Sequence, residues 1–185
     1  MKNVMEESGA DYSKLELIPN VVTNEAFALE NKETDAIWIY YAWAGIACEM
    51  SGLQFDYFNF TDINEVFDYY TPIIVANNEF LKEKPETAKA FLEATEKGYR
   101  YAIENPENAA ELLVEGDTTG SLSDSLELVT KSQQWISAEY ISDSTDWGII
   151  DAERWDNFYS WLYEEKLIEK QIPAGFGFTN EYLAG

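Results

Sequence analysis

D-A-I-W-I-Y-Y-A-W, residues 35–43, places four large aromatic rings in nine positions of the chain. Aromatic and β-branched side chains favour extended backbone, so the stretch predicts a strand over 35–41. Alternation along a strand directs Trp38 and Tyr40 to one face and Tyr41 to the other. We expect Trp38 to lie in the core. The rings at the carboxyl end of the strand are candidates for contact with a ligand.

Short helical and extended patterns alternate around this strand. Residues 15–18 and 55–60 predict further strands, and residues 24–31 and 43–50 predict helices. Strand, helix and strand in this order and at this spacing are typical of a parallel α/β sheet. The first 69 residues are therefore predicted to form one α/β segment.

From Tyr70 to the end of the chain, residues 70–185, the pattern is mainly helical. The apolar run 71–76 predicts one more strand, and Pro85 sits in the first turn of a long amphipathic helix. A single strand has no sheet to join within its own segment. We expect it to complete a sheet whose other strands come from the first 70 residues or from sequence not present here. Helices are predicted over 86–104, from 106 through Leu113, over 124–140 and over 151–165.

The composition excludes several classes of protein. The chain has 185 residues, 46% of them hydrophobic, which is enough apolar surface for a folded core rather than a disordered chain. Thirty-five acidic residues face 12 basic ones, and the net charge of -23 would repel nucleic acid and an anionic bilayer. No uninterrupted apolar run approaches the roughly 20 residues that span a membrane. We expect no nucleic-acid partner and no membrane insertion of this chain.

The residues for common catalytic and metal sites are missing. With no histidine and one cysteine, a Ser-His-Asp or Cys-His arrangement and an ordinary zinc site are excluded within this chain. We predict no catalytic residue, no metal and no cofactor. Cys48 ends a run that imitates a lipoprotein signal, but the flank is acidic, so we interpret it as a small apolar filler on a helix face. A carboxylate-dependent hydrolase and a helical interaction module remain as alternatives of another class.

Three blocks of sequence carry a resemblance to a known family. They are T-D-A-I-W-I-Y-Y-A-W-A-G-I at 34–46, F-D-Y-Y-T-P-I-I-V-A-N-N-E-F-L at 67–81, and the block that begins K-P-E-T-A-K-A-F-L and ends N-P-E-N-A-A-E-L-L at 84–113. The tail I-P-A-G-F-G-F-T-N-E-Y-L at 172–183 is also similar. In this order the blocks resemble the substrate-binding proteins of ABC importers in the NMT1/THI5-like group, which includes binders of thiamine pyrimidine precursors. Relatives of the group bind alkanesulfonates and nitrate.

The resemblance implies a type II periplasmic-binding-protein-like α/β fold with two lobes. It also implies that the chain begins inside the second lobe, so that the fold is incomplete at its N-terminus. The function implied is capture of a small molecule in a cleft between lobes and delivery to an ABC permease subunit. The full-length form is then expected outside the cytoplasm, in the periplasm or as a cell-surface lipoprotein. The THI5-like synthases use a cysteine cluster and a histidine that this chain lacks, so the resemblance implies binding and not an enzyme.

Such binders hold their ligand next to the carboxyl ends of strands. On this basis we predict ligand contacts for Tyr40, Tyr41 and Trp43, with packing between sheet and helices as the alternative for each ring. Tyr70 and Thr71 lie where the chain is expected to cross between lobes, and hinge packing is their alternative.

Two polar residues complete the predicted site. Asn24, with Thr23 before it, either caps a helix or offers a polar group to a ligand at the positive end of that helix. Glu49 could accept a hydrogen bond from a pyrimidine amino group.

The aromatic content favours a pyrimidine ligand, because flat rings reward stacking. A sulfonate or nitrate site, the alternative within the same fold, would need arginine, lysine or helix N-termini. The chain has two arginines, Arg100 and Arg154, and both fall on predicted helices away from strand ends. We also expect marginal stability for the isolated chain, because missing strands would leave the apolar run 71–76 poorly covered.

Overall fold

The structure is a computed structural model that describes residues 1–19, 24–141 and 146–183. Within these ranges the regular structure is helical. A π-helical turn, Tyr41–Gly45, leads directly into α3, and short 3-10 turns occupy Tyr12–Lys14, Phe60–Asp62 and Glu65–Phe67. The α-helices are α1 (Lys2–Glu7), α2 (Glu25–Glu30), α3 (Ile46–Ser51), α4 (Asn78–Glu83), α5 (Pro85–Glu104), α6 (Pro106–Gly116), α7 (Leu126–Ile136) and α8 (Ala152–Glu164).

The predicted helices are confirmed, with ends that differ by a few residues. Asparagine or aspartate side chains cap some of the helices, and proline begins another. The Asn77 side chain accepts hydrogen bonds from the backbone N–H groups of Glu79 and Phe80, and Pro85 is the first residue of α5. Asp151 caps α8 by accepting from the N–H of Arg154 at 2.8 Å.

The predicted strands are not paired into a sheet in the described part of the chain. Residues 36–40, 53–59 and 73–77 have no regular structure, as does the short segment 15–18, and Tyr41 starts the π-helical turn instead of ending a strand. An extended segment becomes a strand only when a neighbour accepts and donates its backbone hydrogen bonds. The side-chain pattern favours extended backbone but does not supply that neighbour.

The apolar run after Tyr70 has the exposure expected for an uncovered segment. Ile73 and Ile74 are about half exposed, and Val75 is 81% exposed. The prediction that this run is poorly covered is confirmed.

The chain forms two compact units. The first, Met1–Ile18, Asp56–Leu92 and Gly148–Gly185, has Val4 and Trp155 as its most buried large side chains. Aromatic rings pack through its interior, with Phe67 5.2 Å from Trp161 and Tyr69 stacked on Phe158 at 4.4 Å between ring centroids.

The second unit comprises Pro19–Phe55 and Glu93–Trp147. In it α6 packs on α7, and α7 also contacts α3 and the π-helical turn. Cys48 is 2% exposed on α3, which confirms its interpretation as an apolar filler. The units follow other boundaries than the predicted segments 1–69 and 70–185, and that division into lobes stays a prediction.

Candidate ligand-binding site

Two of the predicted site residues are joined by a hydrogen bond in the second unit. Tyr41 opens the π-helical turn and Glu49 lies on α3, eight residues later. The Tyr41 hydroxyl donates to Glu49 Oε1 at 2.5 Å. The π-helical turn brings the end of the aromatic stretch onto α3. Such turns are rare in proteins, and those that occur often lie at functional sites. The structure therefore places a phenol and an exposed carboxylate side by side.

The Tyr41 ring has two further neighbours that the sequence analysis missed. Its centroid lies 5.3 Å from that of Trp135 on α7, at an interplanar angle of 43°. On its own turn the ring rests on Gly45, where an added Cβ would come within 2.6 Å of Tyr41 Cδ2. The glycine lay within the A-G-I of the first motif and could have been noticed. No signal in the sequence connects Trp135 with Tyr41, because only tertiary packing joins α7 to the turn.

Three large rings in the same stretch of sequence as Tyr41 are open to solvent. Trp38 is 63% exposed, Tyr40 is 67% exposed and Trp43 is 43% exposed. The prediction that Trp38 lies in the core is wrong, because residues 36–40 have no regular structure and no sheet covers them in the described part of the chain. Trp38 and Tyr40 do share a face, as alternation predicts, with ring centroids 5.4 Å apart. These exposed rings make the stretch a candidate binding surface.

Asn24 caps α2. Its side-chain oxygen accepts from the backbone N–H of Phe27 at 2.9 Å, which is the structural alternative given for this residue. Thr23 lies outside the described residues. A ligand contact by Asn24 stays a prediction.

Tyr70 and Thr71 belong to the first unit and so are not grouped with the Tyr41 pair. The Tyr70 hydroxyl accepts from the backbone N–H of Asp151 at 2.8 Å. Its ring lies under the guanidinium of Arg154, 4.3 Å from the carbon to the ring centroid. Thr71 is exposed. Both contacts of Tyr70 fix the start of α8. A contact between Tyr70 and a ligand stays a prediction.

The first unit also contains an open cleft of about 760 Å³. Its single guanidinium, from Arg154, is held by Asp68, with Nε donating to the backbone oxygen at 2.7 Å and Nη2 to the carboxylate. Four carboxylates line a cleft with one cation that is already paired, so the cleft disfavours anions. Its lining residues are Thr61, Glu65, Val66, Asp68, Asp151, Glu153, Arg154 and Asn157.

The cysteine offers no reactive thiolate. Burial raises the pKa of the Cys48 thiol, and the charge of Glu25 raises it further. A thiol of raised pKa stays protonated at neutral pH and is a poor nucleophile. No helix in the described ranges has the length and apolar content needed to cross a membrane.

The chain belongs to the NMT1/THI5-like family, whose model matches residues 1–109. The resemblance drawn from the three sequence blocks is thereby confirmed. Membership implies a periplasmic-binding-protein-like fold, and the family is one of solute-binding proteins.

Among curated proteins, the chain is similar to the formylaminopyrimidine-binding protein of Halalkalibacterium halodurans. The two are 23% identical over 180 residues, which cover 97% of this chain and 54% of that protein. The chain thus spans about half the length of the curated relative it matches.

Proposed function

We propose that this chain is part of an extracytoplasmic solute-binding protein that captures a thiamine-precursor pyrimidine and delivers it to the permease of an ABC importer. The observation that carries the ligand class is the Tyr41–Glu49 hydrogen bond, together with the exposed rings of Tyr40 and Trp43 in the same stretch of sequence. A pyrimidine has a flat face to stack on such rings and N–H groups to donate to a carboxylate. The name of the relative, a formylaminopyrimidine-binding protein, supports the same class.

The energies are of the right order for this ligand. A stacked aromatic pair contributes about 0.5–1.5 kcal/mol beyond the area it buries. A hydrogen bond to a charged group contributes about 1.5–3 kcal/mol. A micromolar ligand needs about 8 kcal/mol in total. Two rings and several hydrogen bonds, one of them to Glu49, together with the apolar area that stacking buries, reach that sum, whereas rings alone do not.

A sulfonate or nitrate ligand is disfavoured by the state of the two arginines. Arg100 is paired with Glu96 at 2.7 Å on α5, and Arg154 is paired with Asp68. An anion would have to displace a carboxylate from either one, against a net charge of -23.

The identity of the ligand is tested by isothermal titration calorimetry, in which each candidate is titrated into the protein encoded by the whole reading frame that contains this chain. Formylaminopyrimidine and hydroxymethylpyrimidine are expected to bind with micromolar or tighter affinity, and taurine and nitrate are expected to give no heat. Glu49→Gln should weaken binding of the pyrimidines about tenfold or more, because a neutral amide is a weaker hydrogen-bond acceptor than a carboxylate. Glu139→Gln, an exposed glutamate of the same unit, is the matched control. Heat from the anions and none from the pyrimidines would reverse the assignment.

Delivery to a permease is tested in cells. Uptake of labelled formylaminopyrimidine is expected to fall when the gene is deleted and to recover when the gene is restored. Recovery with the Glu49→Gln variant should need a higher external concentration. If uptake is unchanged by the deletion, the proposed role in transport is wrong, while the binding measurements are unaffected.

A further inference from the structure

We propose that Gly45 and Trp135 position the Tyr41 phenol so that Glu49 presents an oriented carboxylate to the N–H groups of an aminopyrimidine. This inference rests on the proposed function. It assigns Gly45 and Trp135 as positioning residues, which act through Tyr41 and not by touching the ligand.

Gly45 is required by contact and not by its backbone conformation. Its φ of -61° and ψ of -48° are ordinary right-handed helical values that any residue adopts. An added Cβ would lie 2.6 Å from Tyr41 Cδ2, 2.9 Å from Cγ and 3.0 Å from Cε2. Since the two atoms flanking Cδ2 are nearly as close as Cδ2 itself, the Cβ would stand over the face of the ring. Any side chain at position 45 must therefore move the whole ring.

Trp135 supplies a second contact, from another element. It lies on α7, which packs on both the π-helical turn and α3 in the same unit. Its ring lies against that of Tyr41, with centroids 5.3 Å apart, while Trp135 stays 42% exposed. Removing this indole would free the Tyr41 ring to rotate away from Gly45 and so break its hydroxyl contact.

The consequence of this arrangement falls on Glu49. Its Oε1 accepts from Tyr41, and its Oε2 accepts from none of the side chains that the structure describes. A carboxylate with one oxygen held and the other open is suited to a ligand that donates an N–H. Holding the side chain in one rotamer before binding also lowers the entropic cost of forming that bond.

The test compares two tryptophans of the same unit. Trp135→Leu removes the contact with Tyr41, and Trp147→Leu removes a similar tilted contact with Tyr99 at 5.1 Å. Trp135→Leu is expected to weaken binding of formylaminopyrimidine about tenfold, because the hydrogen bond from the ligand to Glu49 is no longer aligned. Trp135→Phe and Trp147→Leu should change the affinity by less than about threefold, because each leaves a ring beside Tyr41.

Double variants separate positioning from direct contact. In a Tyr41→Phe background, which lacks the hydroxyl, Trp135→Leu should have little further effect on affinity. In a Tyr41→Ala background, which lacks the ring, Gly45→Ala should likewise have no further effect, although alone it weakens binding about as much as Trp135→Leu. If Trp135→Leu still weakens ligand binding by the full amount in the Tyr41→Phe background, Trp135 contacts the ligand directly. That result would overturn the proposal.

A measurement without ligand keeps this inference separate from the proposed function. A Gly45 Hα proton over the ring face is expected to resonate upfield in the NMR spectrum. Trp135→Leu should move it toward its ordinary position, and Trp147→Leu should not. An unshifted Gly45 Hα in the wild-type protein would overturn the positioning role even if pyrimidines bind. If the shift behaves as expected but no pyrimidine binds, the proposed function fails and the role of Gly45 and Trp135 in holding Tyr41 stands.

Discussion

At the scale of the residue, Asn24 has two possible uses, and the structure shows one of them. Its side chain caps α2 through Phe27, so Asn24→Ala is expected to lower the free energy of unfolding by about 1 kcal/mol, as measured by urea melts. Asn24→Asp keeps the acceptor and should leave stability nearly unchanged. Neither substitution should change the affinity for formylaminopyrimidine. A loss of affinity with unchanged stability would instead support the predicted ligand contact.

Asp117 is a second residue whose role is local and depends on pH. Hydrogen bonds from the Thr119 side chain, the Leu122 N–H and the Thr119 N–H hold the pKa of its carboxyl well below the ordinary value. A pKa lowered by folding means that the ionised form stabilises the fold. This contribution is complete above the unfolded pKa of about 4 and is lost as the pH falls through the folded pKa.

Replacement of Asp117 should therefore matter at neutral pH and not in strong acid. We expect Asp117→Asn to lower the melting temperature at pH 7, and we expect its difference from wild type to shrink steadily as the pH falls below about 4. Asp124→Asn, an exposed carboxylate in the same loop, is the control for charge alone. A difference that is constant from pH 7 to pH 2 would contradict the role of the ionised form.

At the scale of the element, α8 holds the C-terminal segment. The Trp155 indole N–H donates to the Phe176 oxygen at 3.1 Å, and the Asp156 carboxylate accepts from the N–H of Gly175. The tail motif at 172–183 thus has a structural use as the partner of one helix face. Gly177 makes this possible with a φ of 100°, a conformation that side chains rarely adopt.

Trp155→Phe tests this contact. The variant keeps an aromatic ring but loses the indole donor, so we expect the free energy of unfolding to fall by about 1–3 kcal/mol. Amide hydrogen exchange should accelerate over 175–180, and α5 should be unaffected. Trp161→Phe on the same helix is the control, since its indole N–H donates to no partner in the described ranges. Equal acceleration in both variants would mean that ring volume, and not the hydrogen bond, holds the tail.

The π-helical turn is the element that sequence patterns did not predict. Alternating aromatic residues indicated a strand through Tyr41, and the small residues after Trp43 indicated a helix. The actual turn, Tyr41–Gly45, spans the end of one pattern and the start of the other, and in it the Tyr41 ring lies against Gly45. The turn also contacts α7, a distant element whose position local propensity does not report.

At the scale of the whole molecule, net charge opposes compactness. The ion pairs are mostly exposed pairs three or four residues apart on one helix, such as Lys97–Glu93, and each contributes about 0.3–0.5 kcal/mol. In the part of the chain that the structure describes, those pairs are few against a net charge of -23. Repulsion among carboxylates is therefore the larger electrostatic effect.

Salt should therefore stabilise the protein. Raising NaCl from about 0.01 M to about 0.15 M shortens the screening length from about 30 Å to about 8 Å. The melting temperature is expected to rise by about 2–4 °C for each kcal/mol of repulsion removed. MgCl₂ at equal ionic strength should give the same rise, and a larger one would indicate specific binding of the cation. A fall in melting temperature with NaCl would show that ion pairs dominate. A high midpoint for the monomer at low salt would contradict the predicted marginal stability.

Sequence alone determined the helices from Pro85 onward and the family of the chain, because capping residues, Pro positions and amphipathic spacing act over a few neighbouring residues. It also predicted that Tyr41 and Glu49 matter, since rings and carboxylates are visible by type. Only the tertiary structure decided that these two are bonded to each other, that Trp135 and Gly45 hold the ring, and that Trp38 is open to solvent. Those outcomes depend on which distant elements come into contact, and strand pairing or burial is a property of that contact and not of the local side chains.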